Sequence, residues 1–243
     1  YQVSDFDYDA ATKTYTLKDG VPYAGEKGNV KPGMWKFKNI DGSKDNKITE
    51  ADKTVIGNAY PKIYGGINNT FTYKDFDLSI FLTYSIGNDV FNATKLTNTK
   101  TALQNKNVLA VADSKHRWVL VNKAGDLITD PQEMADINKG KTVAAIYDNE
   151  AGDTYIHSWA VEDGSFLKLS NITLGYTFPK KMIRKVGLSK LRLYATGSNL
   201  LTWTKYSGFD PEVSTMGNGL TPGVDFGAYP RSRAFVFGIN LAF

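Results

Sequence analysis

The residues best suited to chemistry lie in Asp41–Asp52 (DGSKDNKITEAD). Counted from Asp41, oxygen-bearing side chains fall at positions 1, 3 and 5 (Asp41, Ser43, Asp45), a backbone carbonyl at 7 (Lys47), Thr49 at 9 and Asp52 at 12. Calcium needs six to eight hard oxygens, and this spacing wraps them around one point, with Ile48 as an apolar anchor. Asn46 stands where such loops carry Gly, and Asn tolerates a positive φ better than most residues. Asp52 replaces the bidentate Glu and reaches less far. The competing reading is a solvated acidic turn that holds no ion. If Asp41, Ser43, Asp45, Lys47, Thr49 and Asp52 do bind Ca2+, the role is structural and not catalytic.

No other group of side chains makes a catalytic centre. His116 and His157 are the only histidines. A triad or zinc site needs a His held by a partner at fixed geometry, and the flanking sequence supplies none, so both read as surface or loop residues. Trp118, Trp159, Trp203 and Tyr206 could stack on a sugar ring, but read first as loop-packing or interfacial residues, Trp203 as interfacial above all. Lys180, Lys181, Arg184 and Lys185 read as a solvated turn in preference to an anion site. No enzyme activity is expected, and no substrate-binding residue can be named.

The elements that must position these residues are strands. The chain has 243 residues, 22 Gly, 14 Tyr, 13 Phe, 4 Trp and no Cys. It has no disulfide framework and no Cys-ligated metal site. No stretch approaches the ~18 apolar residues of a spanning helix, and mean hydropathy is −0.33. A formal net charge of +4, not gathered in one segment, gives no support to nucleic-acid binding.

The last residues, Phe235–Phe243 (FVFGINLAF), put Phe235, Phe237, Ile239, Leu241 and Phe243 in one row, with Val236, Gly238, Asn240 and Ala242 between them. Side chains alternate across a strand, so one face is large and apolar and the other small or polar. In a soluble sandwich the apolar face points into a core; in a membrane barrel it points at lipid. The same alternation marks 62–73, with Ile63, Ile67, Phe71 and Tyr73 on one face, and Phe76–Tyr84, with Phe76, Leu78, Ile80, Leu82 and Tyr84 on one face. Lys74 and Asp75 join these two in a tight hairpin. Ser165–Phe178 repeats the pattern with a phase slip near Ser170–Asn171, as a β-bulge produces. Lys190–Trp203 is the fifth such segment, and Thr14–Leu17 and Met34–Phe37 look like shorter strands.

Connections alternate short (74–75), long (91–164), short (179–189, with one helical turn) and long (204–233), the pattern of an outer-membrane barrel. Residues 1–60 then form an extracellular region with the calcium-type loop. Residues 61–90 form a barrel hairpin, 91–164 a long extracellular loop, and 165–243 the last three strands. Tyr60, Tyr64, Tyr73, Phe76, Tyr84, Phe91, Tyr176, Phe178, Trp203 and Phe243 collect near strand ends, as an interfacial girdle does. Five strands cannot close, because the smallest bacterial barrels use 8 and open edges are not viable in lipid. The chain begins on Tyr1 with a polar stretch and no signal peptide, and is read as the C-terminal part of a larger antiparallel transmembrane β-barrel.

The segments NAYPKIYGGINN (58–69), EDGSFLKLSNITLGYT (162–177), KLRLYATGSNLLTWTKYSGFDP (190–211) and YPRSRAFVFGINLAF (229–243) resemble the C-terminal strands of SusC/RagA-type TonB-dependent outer-membrane transporters. The resemblance covers most of 30–90 and 160–243. It implies a barrel of about 22 strands with a plugged lumen, in the outer membrane of a Gram-negative cell. It also implies uptake of oligosaccharides or peptides, energy through TonB, and a SusD-like lipoprotein partner. The plug and the TonB-contacting segment are absent from this chain, so TonB would act through the missing N-terminal part. Further partners are the rest of the barrel, the lipid bilayer and the substrate, with no nucleic acid. The rival class is a secreted, calcium-stabilised β-sandwich that binds carbohydrate.

Overall fold

The structure is a computed structural model that describes residues 1–99, 107–147, 155–215 and 221–243. Parts of the 91–164 and 204–233 connections therefore lie outside the described residues. The chain divides into two units, Tyr1–Val55 with Lys95–His157, and Ile56–Thr94 with Ser158–Phe243. Twelve strands and three α-helices are named below, all among the described residues.

The first unit is built from short elements. β1 (Phe6–Asp9) and β2 (Thr14–Leu17) form an antiparallel hairpin, and β3 (Tyr23–Ala24) pairs in parallel with β4 (Lys47–Ile48). Phe6 and Leu17 meet Tyr1 and Val30 in one small core. A second core joins Trp118, Ile128, Met134 and Ala145. Met34–Phe37 is not a strand. The Met34 amide closes a turn onto the Lys31 carbonyl, and Trp35 and Phe37 spend their rings on His157.

The second unit contains β5 (Ile63–Tyr73), β6 (Phe76–Ile86), β7 (Asp89–Asn92), β8 (Val161–Asp163), β9 (Phe166–Thr177), β10 (Lys190–Thr204), β11 (Val224–Asp225) and β12 (Ala234–Ala242). The five long strands form one sheet in the order β12-β10-β9-β6-β5, antiparallel throughout. β7 joins β8 and β11 in a smaller sheet, so Phe91 does not end a long strand. The three α-helices are short: α1 (Ala93–Asn98), α2 (Pro131–Ile137) and α3 (Lys180–Ile183). No helix is long and apolar enough to cross a membrane.

Local chemistry explains the joints. The β5–β6 hairpin pairs Tyr73 with Phe76, and Lys74 turns the chain at φ 54°. In β9, Asn171 and Leu169 face consecutive residues of β6, leaving Ser170 as the extra residue of a bulge. β10 answers with its own irregularity between Ser198 and Leu201, where Asn199 takes φ 53°. The bulge corrects the phase slip, so Leu167, Leu169, Ile172, Leu174 and Tyr176 stay on one face. Pro179 precedes α3, and Gly187 at φ 77° ends the short turn that follows it.

Candidate functional site

The sheet of the second unit has two unlike faces, and the ladder register defines both. Ile67, Leu82 and Leu169 lie in line across β5, β6 and β9; Tyr176, Leu193 and Ile239 do so across β9, β10 and β12. This row continues through Phe71, Leu78, Leu174, Phe237 and Phe235. It is not a core. Phe237 is 81% exposed, Ile239 65% and Phe71 57%. Within the five strands the buried residues are Lys168, Gly175 and Gly197.

The opposite face is polar and hydrogen-bonded to itself. Thr83 and Ser170 share a hydroxyl hydrogen bond of 2.7 Å, and Thr173 and Thr196 one of 2.8 Å. Ser198 Oγ donates to Asn171 at 2.7 Å, and Ser79 Oγ to Asn68 at 3.2 Å. Arg192 donates from Nε and Nη2 to the two oxygens of Asp77, at 3.0 and 2.5 Å. Gly175 makes this fork possible, since a Cβ there would collide with the guanidinium and with Asp77.

Aromatic rings gather at the sheet's ends. Phe76, Tyr176 and Phe178 meet in sequence at the hairpin end, the first pair tilted and the second edge to face, with centroids 4.7 and 4.9 Å apart. At the other end Tyr84, Leu167 and Trp203 are in register, beside a cavity of about 640 Å³ that also meets Ile86, Phe166 and Lys205. Trp203 stays half exposed there. Tyr64 falls on the polar face and Tyr60 lies outside any strand. Tyr206 is buried, and its hydroxyl donates to Asp225 Oδ2 at 2.6 Å. Burial, and then Asp225, push its ionisation well above the usual phenol range.

In the first unit, the calcium-type loop closes on its own backbone. Asp52 accepts from the amides of Ile40 (2.7 Å), Asp41 (3.3 Å) and Thr49 (2.8 Å), so one carboxylate ties both ends together. Asp41 accepts from the Ser43 amide at 2.7 Å. Asp45 accepts from Ser43 Oγ at 2.8 Å and from the Lys47 amide at 3.0 Å. Lys47 lies in β4, and Thr49 caps the turn Glu50–Asp52. Asn46 has φ 57°, the left-handed backbone that the sixth loop position needs. Amide donors hold Asp45 and Asp52 below the usual carboxylate range, through Lys47 for the first and through Thr49 and Ile40 for the second. Among the described residues, no group of three or more His, Asp or Glu side chains is arranged to hold a metal.

The remaining candidates separate. His116 is exposed, 2.7 Å from Asp113. His157 lies outside any helix or strand, as expected of a loop residue, but is buried beside Trp35 and Phe37 instead of standing on the surface. Trp118 is 4% exposed and cannot offer a face to a sugar. Its indole lies against Gly33, where a Cβ would stand 2.5 Å away. Lys180, Lys181, Arg184 and Lys185 are exposed on α3 and the turn after it.

The long strands thus make an open antiparallel sheet with a bare apolar face and a self-bonded polar face. No family model matches the chain. TonB-dependent receptor P3 of Formosa agariphila is 31% identical over 221 residues, covering 89% of this chain and 20% of that protein. TonB-dependent receptor SusC of Bacteroides thetaiotaomicron is 28% identical over 206 residues, 84% of this chain and 17% of that one. A solved RagAB peptide transporter superposes with a TM-score of 0.60 at 24% identity, over 81% of this chain and 19% of its own. The chain belongs to the SusC/RagA type of TonB-dependent receptors and spans about a fifth of the length of the curated relatives it matches. These relatives are receptors and transporters by name.

Proposed function

We propose that this chain is the C-terminal wall and outer-loop portion of a closed barrel of about 22 strands in the Gram-negative outer membrane. The barrel imports oligosaccharides or peptides, draws energy through TonB by way of its plug-bearing N-terminal part, and works with a SusD-like surface lipoprotein. One observation carries the reading: five adjacent strands hold their apolar rows in register on one exposed face. A water-soluble sheet would bury that face, since large contiguous apolar patches are rare on soluble monomers. The sandwich reading needs a sheet packed over those rows, and among the described residues Phe71, Phe237 and Ile239 stay exposed. Lipid contact on one side and a lumen on the other account for both faces. The sheet ends at β5 and β12, and further strands of the same protein would pair with both edges, because unpaired strand edges are not viable in lipid.

The experiment is import by cells that carry the full-length protein, with labelled oligosaccharides and peptides supplied separately. Uptake of one class, lost on deleting TonB or the lipoprotein, supports the assignment. A full-length protein that is monodisperse in water without detergent would overturn it.

Calcium in the Asp41–Asp52 loop is a second, structural element of the proposal. The left-handed turn at Asn46 and the spacing of Asp41, Asp45 and Asp52 support it, and in that state the ion would take over oxygens that amides now occupy.

A further inference from the structure

Lys168 and Asp225, each 3% exposed, are among the polar side chains buried in the sheet-bearing unit, together with Tyr206 and Asp210. Three of them come from the connection that leaves β10. We propose that Tyr206–Glu212 is a strap fixed across the polar face. Lys168 and Glu212 act as positioning residues that set the free width of the passage at the loop-bearing end. The inference rests on the reading that this face lines an importer's lumen.

The strap is pinned at both ends. At its start, the Ser207 amide and hydroxyl donate to the two oxygens of Glu162, at 2.8 and 2.7 Å. Tyr206 is anchored to Asp225, which also accepts from the Ala228 amide at 3.3 Å. At its far end, Glu212 Oε2 accepts from Lys168 Nζ at 2.6 Å and from Arg231 Nη1 at 3.1 Å. The Glu212 amide donates to Asp210 Oδ1 at 3.0 Å and tightens the bend, and Arg231 Nε lies 3.9 Å from Asp210 Oδ2. Lys168 sits on β9, the middle strand, in register with Thr83 and Thr202 on the polar face. Arg231 stands just before β12. One carboxylate therefore joins a cation from the centre of the sheet to a cation from its edge segment.

Burial makes this contact firm. An exposed ion pair contributes little, but a desolvated ammonium that loses its carboxylate is left uncompensated, and salt screens such a pair weakly. The segment cannot lift off the polar face without exposing or stranding Lys168. Chain held across that face takes up room a solute would otherwise use.

The test uses the full-length protein in outer-membrane vesicles, with Ser79→Cys as a reporter on the polar face; this chain supplies no cysteine of its own. Maleimides of graded size are added from outside to the parent, to Glu212→Gln, and to the Lys168→Met/Glu212→Gln pair, which strands no charge. Heat-modifiable electrophoretic mobility reports the folded barrel. The expected result is folded barrels throughout and about tenfold faster labelling by the large maleimide in both variants. Labelling by the small maleimide stays unchanged, and protease newly cuts within Tyr206–Glu212. Parent-like labelling in the double variant overturns the proposal, because it shows that the pair only neutralises a buried charge. If Glu212→Gln does not fold, the double variant decides alone. A parent protein that shows no heat-modifiable barrel sinks the importer reading itself, and the strap with it, so the two failures are told apart.

Discussion

The two units treat apolar side chains in opposite ways. In the first unit Trp118, Ile128 and Met134 are inside, and Phe6 and Leu17 close another core. In the long sheet of the second, Phe237, Ile239 and Phe71 face outward while Lys168 is buried. Composition does not separate them, because both draw on the same aromatic and aliphatic residues. The medium does. The hydrophobic effect rewards the removal of apolar area from water, which a small unit achieves by folding inward and a barrel wall achieves by facing acyl chains.

That contrast breaks most sharply under truncation and under charge. Trp118→Ala removes a buried indole packed on Gly33 and should destabilise the first unit by ~3–5 kcal/mol. Thermal or denaturant unfolding of the full-length protein should show the loss whatever detergent or lipid surrounds it. Ile239→Arg should behave in the reverse manner. On a surface in water an added Arg is nearly harmless, but near a bilayer midplane it costs about 2–4 kcal/mol. Folding titrations into lipid vesicles check this, and an unaltered folding equilibrium would place the row in water or in a protein interior. A loss with Trp118→Ala that appears only in lipid would abolish the contrast between the units.

What was legible in the sequence follows the same division. The five long strands, their hairpin at Lys74–Asp75, the slip at Ser170 and the turn after Pro179 all stand in the sequence, because a period of two over nine or more residues is a local signal. Which face met water was not local. It required the register across strands, and the resemblance supplied the context. In the first unit the partners of each core lie far apart along the chain, as Gly33 and Trp118 do, and no periodic pattern announces them. Met34–Phe37 looked like a short strand, yet the rings of Trp35 and Phe37 pack on His157. The strap was missed because Lys168 in an apolar strand and Glu212 after Asp210–Pro211 carry no spacing rule that joins them.

Helix α2 marks an intermediate case, where a signal was present and lay unread. Asp130 accepts from the Glu133 amide at 2.7 Å, Pro131 occupies the first turn, and Met134 is buried in the second core. Capping and Pro at the start suffice to begin a helix, and seven residues are too few to show a periodic face. Asp130→Ala should cost ~1 kcal/mol, well below the loss at Trp118 because the packing of Met134 survives. Hydrogen exchange at Glu133 is the direct readout; unchanged protection there would mean that tertiary contacts, not the cap, start the helix.

The smallest effect expected is at the Asp41–Asp52 loop, where the contrast between units is one of charge instead of burial. Asp52 and Asp45 ionise below the ordinary carboxylate value of 3.8 because backbone amides stabilise their charged forms. A depressed folded-state value means the contribution is fully present above the unfolded value and is lost as pH falls through the folded one. Asp45 is exposed and Asp52 only partly covered, so the loss is confined to local order. The amide protons of Ile40, Thr49 and Lys47 should lose protection below about pH 4, while the sheet of the second unit keeps its own. Calcium, if it binds, must compete with those same protons and amides, so added Ca2+ should move the transition to lower pH in the parent protein and not in Asp45→Ala. A transition that Ca2+ leaves in place in the parent would reduce the loop to a self-capped acidic turn, with Asp52 as its clasp.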